Sequence, residues 1–158
     1  LRAEFEFYKK EQVRVLHLGD KSALSTDVRR EIETVEKESA GFTGMNLVLA
    51  INYGARDEIT RAVKKMLEEQ SRTQRENSAA TTMEAGDLPR FFDIPLLPDA
   101  DLIIRTGGEK RLSNFLLWQA AYAEFDFTDT LWPDYTDEDF YRAIADFQKR
   151  HRRFGAAN

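Results

Sequence analysis

Two short apolar runs closed by turn residues stand out in the first third of the chain, Val13-Arg-Val-Leu-His-Leu-Gly19 and Met45-Asn-Leu-Val-Leu-Ala-Ile-Asn52. Apolar runs of that length, bounded by turn signals, predict buried parallel strands. Asp101-Leu-Ile-Ile-Arg105 predicts a third strand and Glu124-Phe-Asp-Phe127 a weaker fourth. Between them apolar residues recur at helical spacing, first Val28, Ile32 and Val35, then Ile59, Val63, Met66 and Leu67. A last helix is predicted after Thr136, which caps it ahead of Asp137, Glu138 and Asp139, with Phe140, Ile144 and Phe147 on its apolar face. It closes on the cationic run Lys149-Arg-His-Arg-Arg153. Strand alternating with helix predicts an α/β fold with a mainly parallel central sheet flanked by helices, whose ligand sites lie beyond the carboxyl ends of the strands. The chain turns polar after Glu68, and residues 71–87 read as a mobile surface loop.

Composition narrows this picture. A length of 158 residues suits one domain, 1–158, with a core that needs no disulfide or structural metal. The absence of cysteine excludes a disulfide framework, a thiolate metal cage and a cysteine nucleophile, and it fits a reducing, cytoplasmic setting. No apolar run is long enough to span a bilayer, and the first residues do not form a secretory signal. The chain does not begin with methionine, which leads us to expect that Leu1 is not the natural start. A net charge of −5 tells against a general nucleic-acid binder, so any anion site must be local.

The stretch Ile104-Arg-Thr-Gly-Gly-Glu-Lys-Arg-Leu-Ser-Asn-Phe-Leu-Leu-Trp118 is such a local site. A strand stops at Arg105, the chain turns through Gly107 and Gly108, and an apolar helix is expected to open near Ser113. The glycines let backbone N–H groups approach an anion, the helix start presents a positive end, and Arg105, Lys110 and Arg111 add full charges. The spacing matches neither a P-loop nor a dinucleotide fingerprint. Glu124 is expected at the same sheet edge as a Mg²⁺ ligand, because Mg²⁺ takes one or two carboxylates plus phosphate oxygens, and Asp126 is a second candidate. His17 reads as a core histidine. His151 belongs to the basic helix end, and two histidines so placed do not suggest zinc.

With these residues in view, the segment from Asp99 to Tyr135 closely resembles the cis-prenyltransferases, the family of undecaprenyl diphosphate synthase. The resemblance lies in Ile104 to Gln119, in Tyr122-Ala-Glu124 and in Phe127-Thr-Asp-Thr-Leu-Trp-Pro-Asp134. Upstream, Leu18-Gly-Asp20 and Asn52-Tyr-Gly-Ala-Arg-Asp57 also resemble family blocks, with Ala55 standing where the family has glycine, and Arg153-Phe-Gly155 looks like its closing Arg-x-Gly. The resemblance implies that Arg105, Arg111 and Ser113, with the Gly107-Gly108 turn, bind the diphosphate of isopentenyl diphosphate, and that Glu124 helps hold Mg²⁺. It implies that Arg153 and Gly155 reach the partner's site in a homodimer.

The reaction implied is condensation of isopentenyl diphosphate with an allylic diphosphate primer to give a cis-polyprenyl diphosphate, with transient membrane-surface contact for the lipid product. The family's N-terminal block His-x-x-Gly-Asn-Arg-Arg, whose aspartate serves the allylic diphosphate, has no counterpart here. The chain is therefore expected to be the C-terminal portion of an isoprenyl transferase, to carry no catalytic aspartate, and to be inactive alone. The alternative expectation is a noncatalytic partner subunit of a heteromeric enzyme.

Overall fold

In the computed structural model, residues 1–77, 84–95 and 97–150 are described. Their elements follow the expected alternation: α1 (Phe5–Lys10), β1 (Arg14–Leu18), α2 (Thr26–Ser39), β2 (Asn46–Ala50), α3 (Ala55–Asn77), β3 (Leu102–Arg105), β4 (Glu124–Phe127) and α4 (Asp137–Gln148). Short 3₁₀ turns cover Arg2–Glu4, Lys21–Ala23, Ala85–Phe91 and Trp132–Asp134. The chain divides into two compact units, Leu1–Leu97 and Pro98–Asn158, where length alone suggests a single domain. Among the described residues each unit holds a two-stranded parallel sheet flanked by helix or turns.

In the first unit β1 and β2 pair in parallel, Arg14 opposite Asn46 through Leu18 opposite Ala50. A parallel pair needs a crossover, and α2 supplies it. The core gathers Val13, Val15 and Leu18 from the β1 segment with Ile32 and Val35 from α2. Each such side chain, fully buried, contributes about 1.5–3 kcal/mol. The outward N–H groups of β1 are not left bare: Ser39 Oγ accepts from Val15 N at 3.0 Å and Glu36 Oε1 accepts from His17 N at 2.8 Å. Two side chains of α2 thus close an edge on which a further strand would otherwise pair. His17 is 5% exposed and hydrogen-bonds Ile51 O through Nε2 at 3.0 Å, in keeping with a core role.

The strand ends are locked to each other. Asp20 N donates to Asn52 O at 3.1 Å, and Asn52 Nδ2 donates to Asp20 O at 2.8 Å. Gly19 sits at φ +132°, where an added Cβ would stand 2.3 Å from Ile51 O. The residue that takes positive φ in the second motif is Asn52, at 53°. Ala55, buried at the first position of α3, has no such demand on it, so alanine serves there without strain.

α3 runs further than the polar composition suggests. Residues 71–77, expected as part of a loop, continue its helix, and 84–87 lead into the turn Ala85–Phe91. Glutamate, glutamine and arginine are good helix formers, so a polar run is not by itself a loop. Residues 78–83 lie outside the described residues. The buried line of α3 passes through Ala55, Glu58 and Ala62, while Val63 and Leu67 are exposed. Glu58 accepts from Tyr53 Oη at 2.8 Å and from Asp93 N at 3.2 Å, and Arg61 pairs with Asp93, tying the segment after the turn to the helix.

In the second unit β3 and β4 pair in parallel, Leu102 opposite Glu124 through Arg105 opposite Phe127. α4 begins with the expected cap at Thr136, completed as a reciprocal box with Asp139. Among the described residues no helix is long and apolar enough to cross a membrane.

Candidate functional site

Arg105 ends β3 at its carboxyl end, and its guanidinium turns into the loop that follows. Nη1 donates to Arg111 O and, at 3.2 Å, to Ser113 Oγ. Arg111 Nε donates to the same Ser113 Oγ at 3.2 Å. Three of the residues singled out from the sequence therefore converge: two guanidinium groups share one hydroxyl, and Arg111 also pairs with Glu109. Lys110 is exposed on the same loop. Arg105, Arg111 and Ser113 line one cavity of about 280 Å³ with Ile103, Phe125 and Phe127. Two forks set around a hydroxyl suit the oxygens of a phosphate or diphosphate, which accept hydrogen bonds in pairs.

Two details differ from expectation. No helix opens near Ser113: residues 113–122 form successive turns, and Ser113, Asn114 and Leu116 take φ of 50°, 65° and 46°. Three left-handed residues within four positions cannot belong to a right-handed helix, so Ser113 is no N-cap and no positive helix end points at the site. The second concerns Gly107 and Gly108. Both have the positive φ foreseen for a tight turn, +82° and +74°. Their N–H groups, however, donate to Thr130 O at 2.8 Å and Thr128 O at 2.9 Å, closing the turn onto the loop after β4 rather than facing a ligand. The glycines shape the loop, and the side chains of Arg105, Arg111 and Ser113 carry its chemistry.

Glu124 is not where the sequence placed it. Parallel register sets it opposite Leu102, three residues from the level of Arg105, or roughly 10 Å along the strand direction. Alternation on β4 also sends Glu124 and Asp126 to one face and Phe125 and Phe127 to the other, and the cavity of the arginine cluster is lined by the two phenylalanines. Glu124 Oε2 instead accepts from Arg150 Nη1 at 3.0 Å, and the same Nη1 reaches Phe125 O at 3.1 Å. Asp126 lines a separate pocket with Tyr135, Asp139 and Arg142, where burial first, then Asp126 and Asp139, pushes the Tyr135 phenol up. Among the described residues no group of three or more acids and histidines is placed to hold a metal ion. Among the described residues Glu124 is engaged by Arg150 rather than by the arginine cluster. Arg153 and Gly155 lie outside the described residues.

Sequence reasoning passed over Phe125 and Phe127 as site residues. Their signal was the period-two alternation of Glu124-Phe-Asp-Phe127 itself, which puts both rings on the face that Ile103 and Arg105 share.

Comparison with known proteins gives a consistent result. A prenyltransferase family model described as undecaprenyl diphosphate synthase matches residues 1–155. An isoprenyl transferase of Treponema denticola is 48% identical over 157 residues, covering 99% of this chain and 65% of the relative. That of Treponema pallidum is 48% identical over 155 residues, covering 98% and 66%. The chain thus spans just under two thirds of the length of these relatives. Among solved structures, a probable undecaprenyl diphosphate synthase from Campylobacter jejuni superposes with a TM-score of 0.84 at 39% identity, over 98% of this chain and 69% of that one. Lavandulyl diphosphate synthase from Lavandula x intermedia, solved with dimethylallyl diphosphate, gives 0.85 at 32% identity, over 96% and 64%.

Proposed function

The chain belongs to the undecaprenyl diphosphate synthase family of prenyltransferases, and from that premise we propose that it carries the isopentenyl diphosphate half-site of an isoprenyl transferase. The reaction is condensation of isopentenyl diphosphate with an allylic diphosphate to give a cis-polyprenyl diphosphate. The allylic C–O bond breaks with release of diphosphate, the isopentenyl double bond attacks the resulting cation, and a proton is lost to form the new double bond. The observation that carries the proposal is the convergence of Arg105 and Arg111 on Ser113 Oγ at the carboxyl end of β3.

On this reading Arg105 and Arg111 neutralise the head group of isopentenyl diphosphate and Ser113 fixes its rotation, so that the double bond is presented in one orientation. The cluster is built before substrate arrives, so little reorganisation is needed when it binds. A noncatalytic partner subunit would have no use for it, and its presence favours the catalytic reading. The family block with the allylic aspartate does not occur in the sequence, so the 158-residue polypeptide by itself elongates no primer. When bound, Mg²⁺ would supply charge neutralisation at a diphosphate. Since Glu124 faces away from its own chain's cluster, we place its partner diphosphate on a second copy of the chain in a homodimer.

Isothermal titration of the chain with isopentenyl diphosphate tests the assignment. We expect saturable binding that weakens at least tenfold in Arg105→Ala, the loss typical of a charge-assisted contact. Undiminished binding by that variant would remove Arg105 from the site.

A further inference from the structure

The cavity holding the arginine cluster is not uniformly polar. In a parallel pair, residues in register point to the same face, so Ile103, Phe125, Arg105 and Phe127 share one surface. The Phe125 and Phe127 rings stack with centroids 5.6 Å apart and planes 4° from parallel. The charge sits at the carboxyl end of the strands, on Arg105 with Arg111 and Ser113, and the surface becomes apolar toward Ile103 and Phe125. Two residues along a strand cover roughly 6.6 Å, about the reach of one isoprene unit. At about 280 Å³ the cavity has room for a diphosphate with a short branch.

We infer that Phe125 and Phe127 form an apolar wall that holds the short branched hydrocarbon tail of a diphosphate ester whose head group sits on Arg105, Arg111 and Ser113. This rests on the half-site proposed above and adds to it the residues that select the tail. The arginine cluster supplies affinity for any diphosphate. The stacked rings make the difference between a bare diphosphate and one carrying a single apolar branch, and they orient that branch by leaving it one apolar direction to lie in. Phe127, opposite Arg105 in the register, stands where head and tail join.

Titration calorimetry on the 158-residue chain with inorganic pyrophosphate and with isopentenyl diphosphate separates head from tail. The unaltered chain is expected to bind the ester about tenfold more tightly than pyrophosphate, a modest return for burying one branch. Phe127→Ala should erase most of that margin while pyrophosphate affinity stays within twofold, and Phe127→Leu should keep most of it. Equal affinity of the unaltered chain for the two ligands would overturn the wall without any variant having to fold. A Phe127→Ala chain that loses both ligands alike would also overturn it. Binding of neither ligand being weakened by Arg105→Ala would mark a different failure, that of the half-site itself, and would take the wall down with it.

Discussion

At the scale of single residues, local hydrogen bonding sets two carboxylates apart. The Thr136 backbone N–H, and after it the Thr136 side chain, hold the Asp139 carboxyl below its ordinary value of 3.8. The Ser22 side chain, and after it the Ser22 backbone N–H, do the same for Asp20. A carboxyl with a depressed folded value binds fewer protons folded than unfolded, so its contribution is fully present above 3.8 and is lost as pH falls through the folded value. Thr136→Ala removes the hydroxyl that caps α4 by accepting from Asp139 N, and for that lost cap should lower stability by about 1 kcal/mol at neutral pH. The difference from the unaltered chain should shrink below pH 4, as read from urea midpoints at both pH values; an unchanged difference would separate the cap from the acid dependence. This much was visible in the sequence, because a capping threonine ahead of three acids is a local signal. Arg105, Arg111 and Ser113 were legible as neighbours on one loop, and the structure joins both guanidinium groups to Ser113 Oγ.

At the scale of elements, the apolar runs 13–19 and 45–52 became strands as expected, and α2 became their crossover, because continuous apolar runs and helical periodicity are each read within one segment. Two elements departed from their local signals. α3 extended through a polar stretch whose residues favour helix, and the apolar run after Ser113 became turns because its backbone takes left-handed values at three positions. The two motif ends Leu18-Gly-Asp20 and Asn52-Tyr-Gly54 turned out to act on each other, joining β1 to β2 beyond their last paired residues. Gly19→Ala should then cost at least about 3 kcal/mol, since it combines strained φ with a backbone clash. Ala55→Gly, which brings in the family's residue, should not stabilise the chain and should cost up to about 0.8 kcal/mol through the lost buried methyl. Chemical denaturation of the two variants checks both signs. A mild Gly19→Ala would mean that the strand ends separate more easily than their mutual hydrogen bonds suggest.

At the scale of the whole molecule, the position of Glu124 bears on assembly. If its diphosphate belongs to a second copy, the chain should sediment at twice its 18.3 kDa mass. Any Mg²⁺-dependent gain in pyrophosphate binding should likewise fall on Glu124→Gln and on dilution to monomer. Monomeric sedimentation at tens of micromolar, with a Mg²⁺ gain indifferent to Glu124→Gln, would return that carboxylate to its visible role of holding Arg150, an exposed pair worth about 0–1 kcal/mol. The sequence by itself determined the class of fold, the strands that carry the candidate site, the loop residues Arg105, Arg111 and Ser113 that meet there and the family to which these motifs point. All of these are written in runs of neighbouring residues, where period and composition act directly. Only the tertiary structure decided that the chain forms two units, that the Gly107 and Gly108 donors close a turn, that Glu124 and Asp126 face away from Arg105, and that Phe125 and Phe127 face toward it. Strand pairing is non-local: the direction and register in which β4 meets β3 choose which end and which face each residue occupies, and no neighbour in the sequence carries that information.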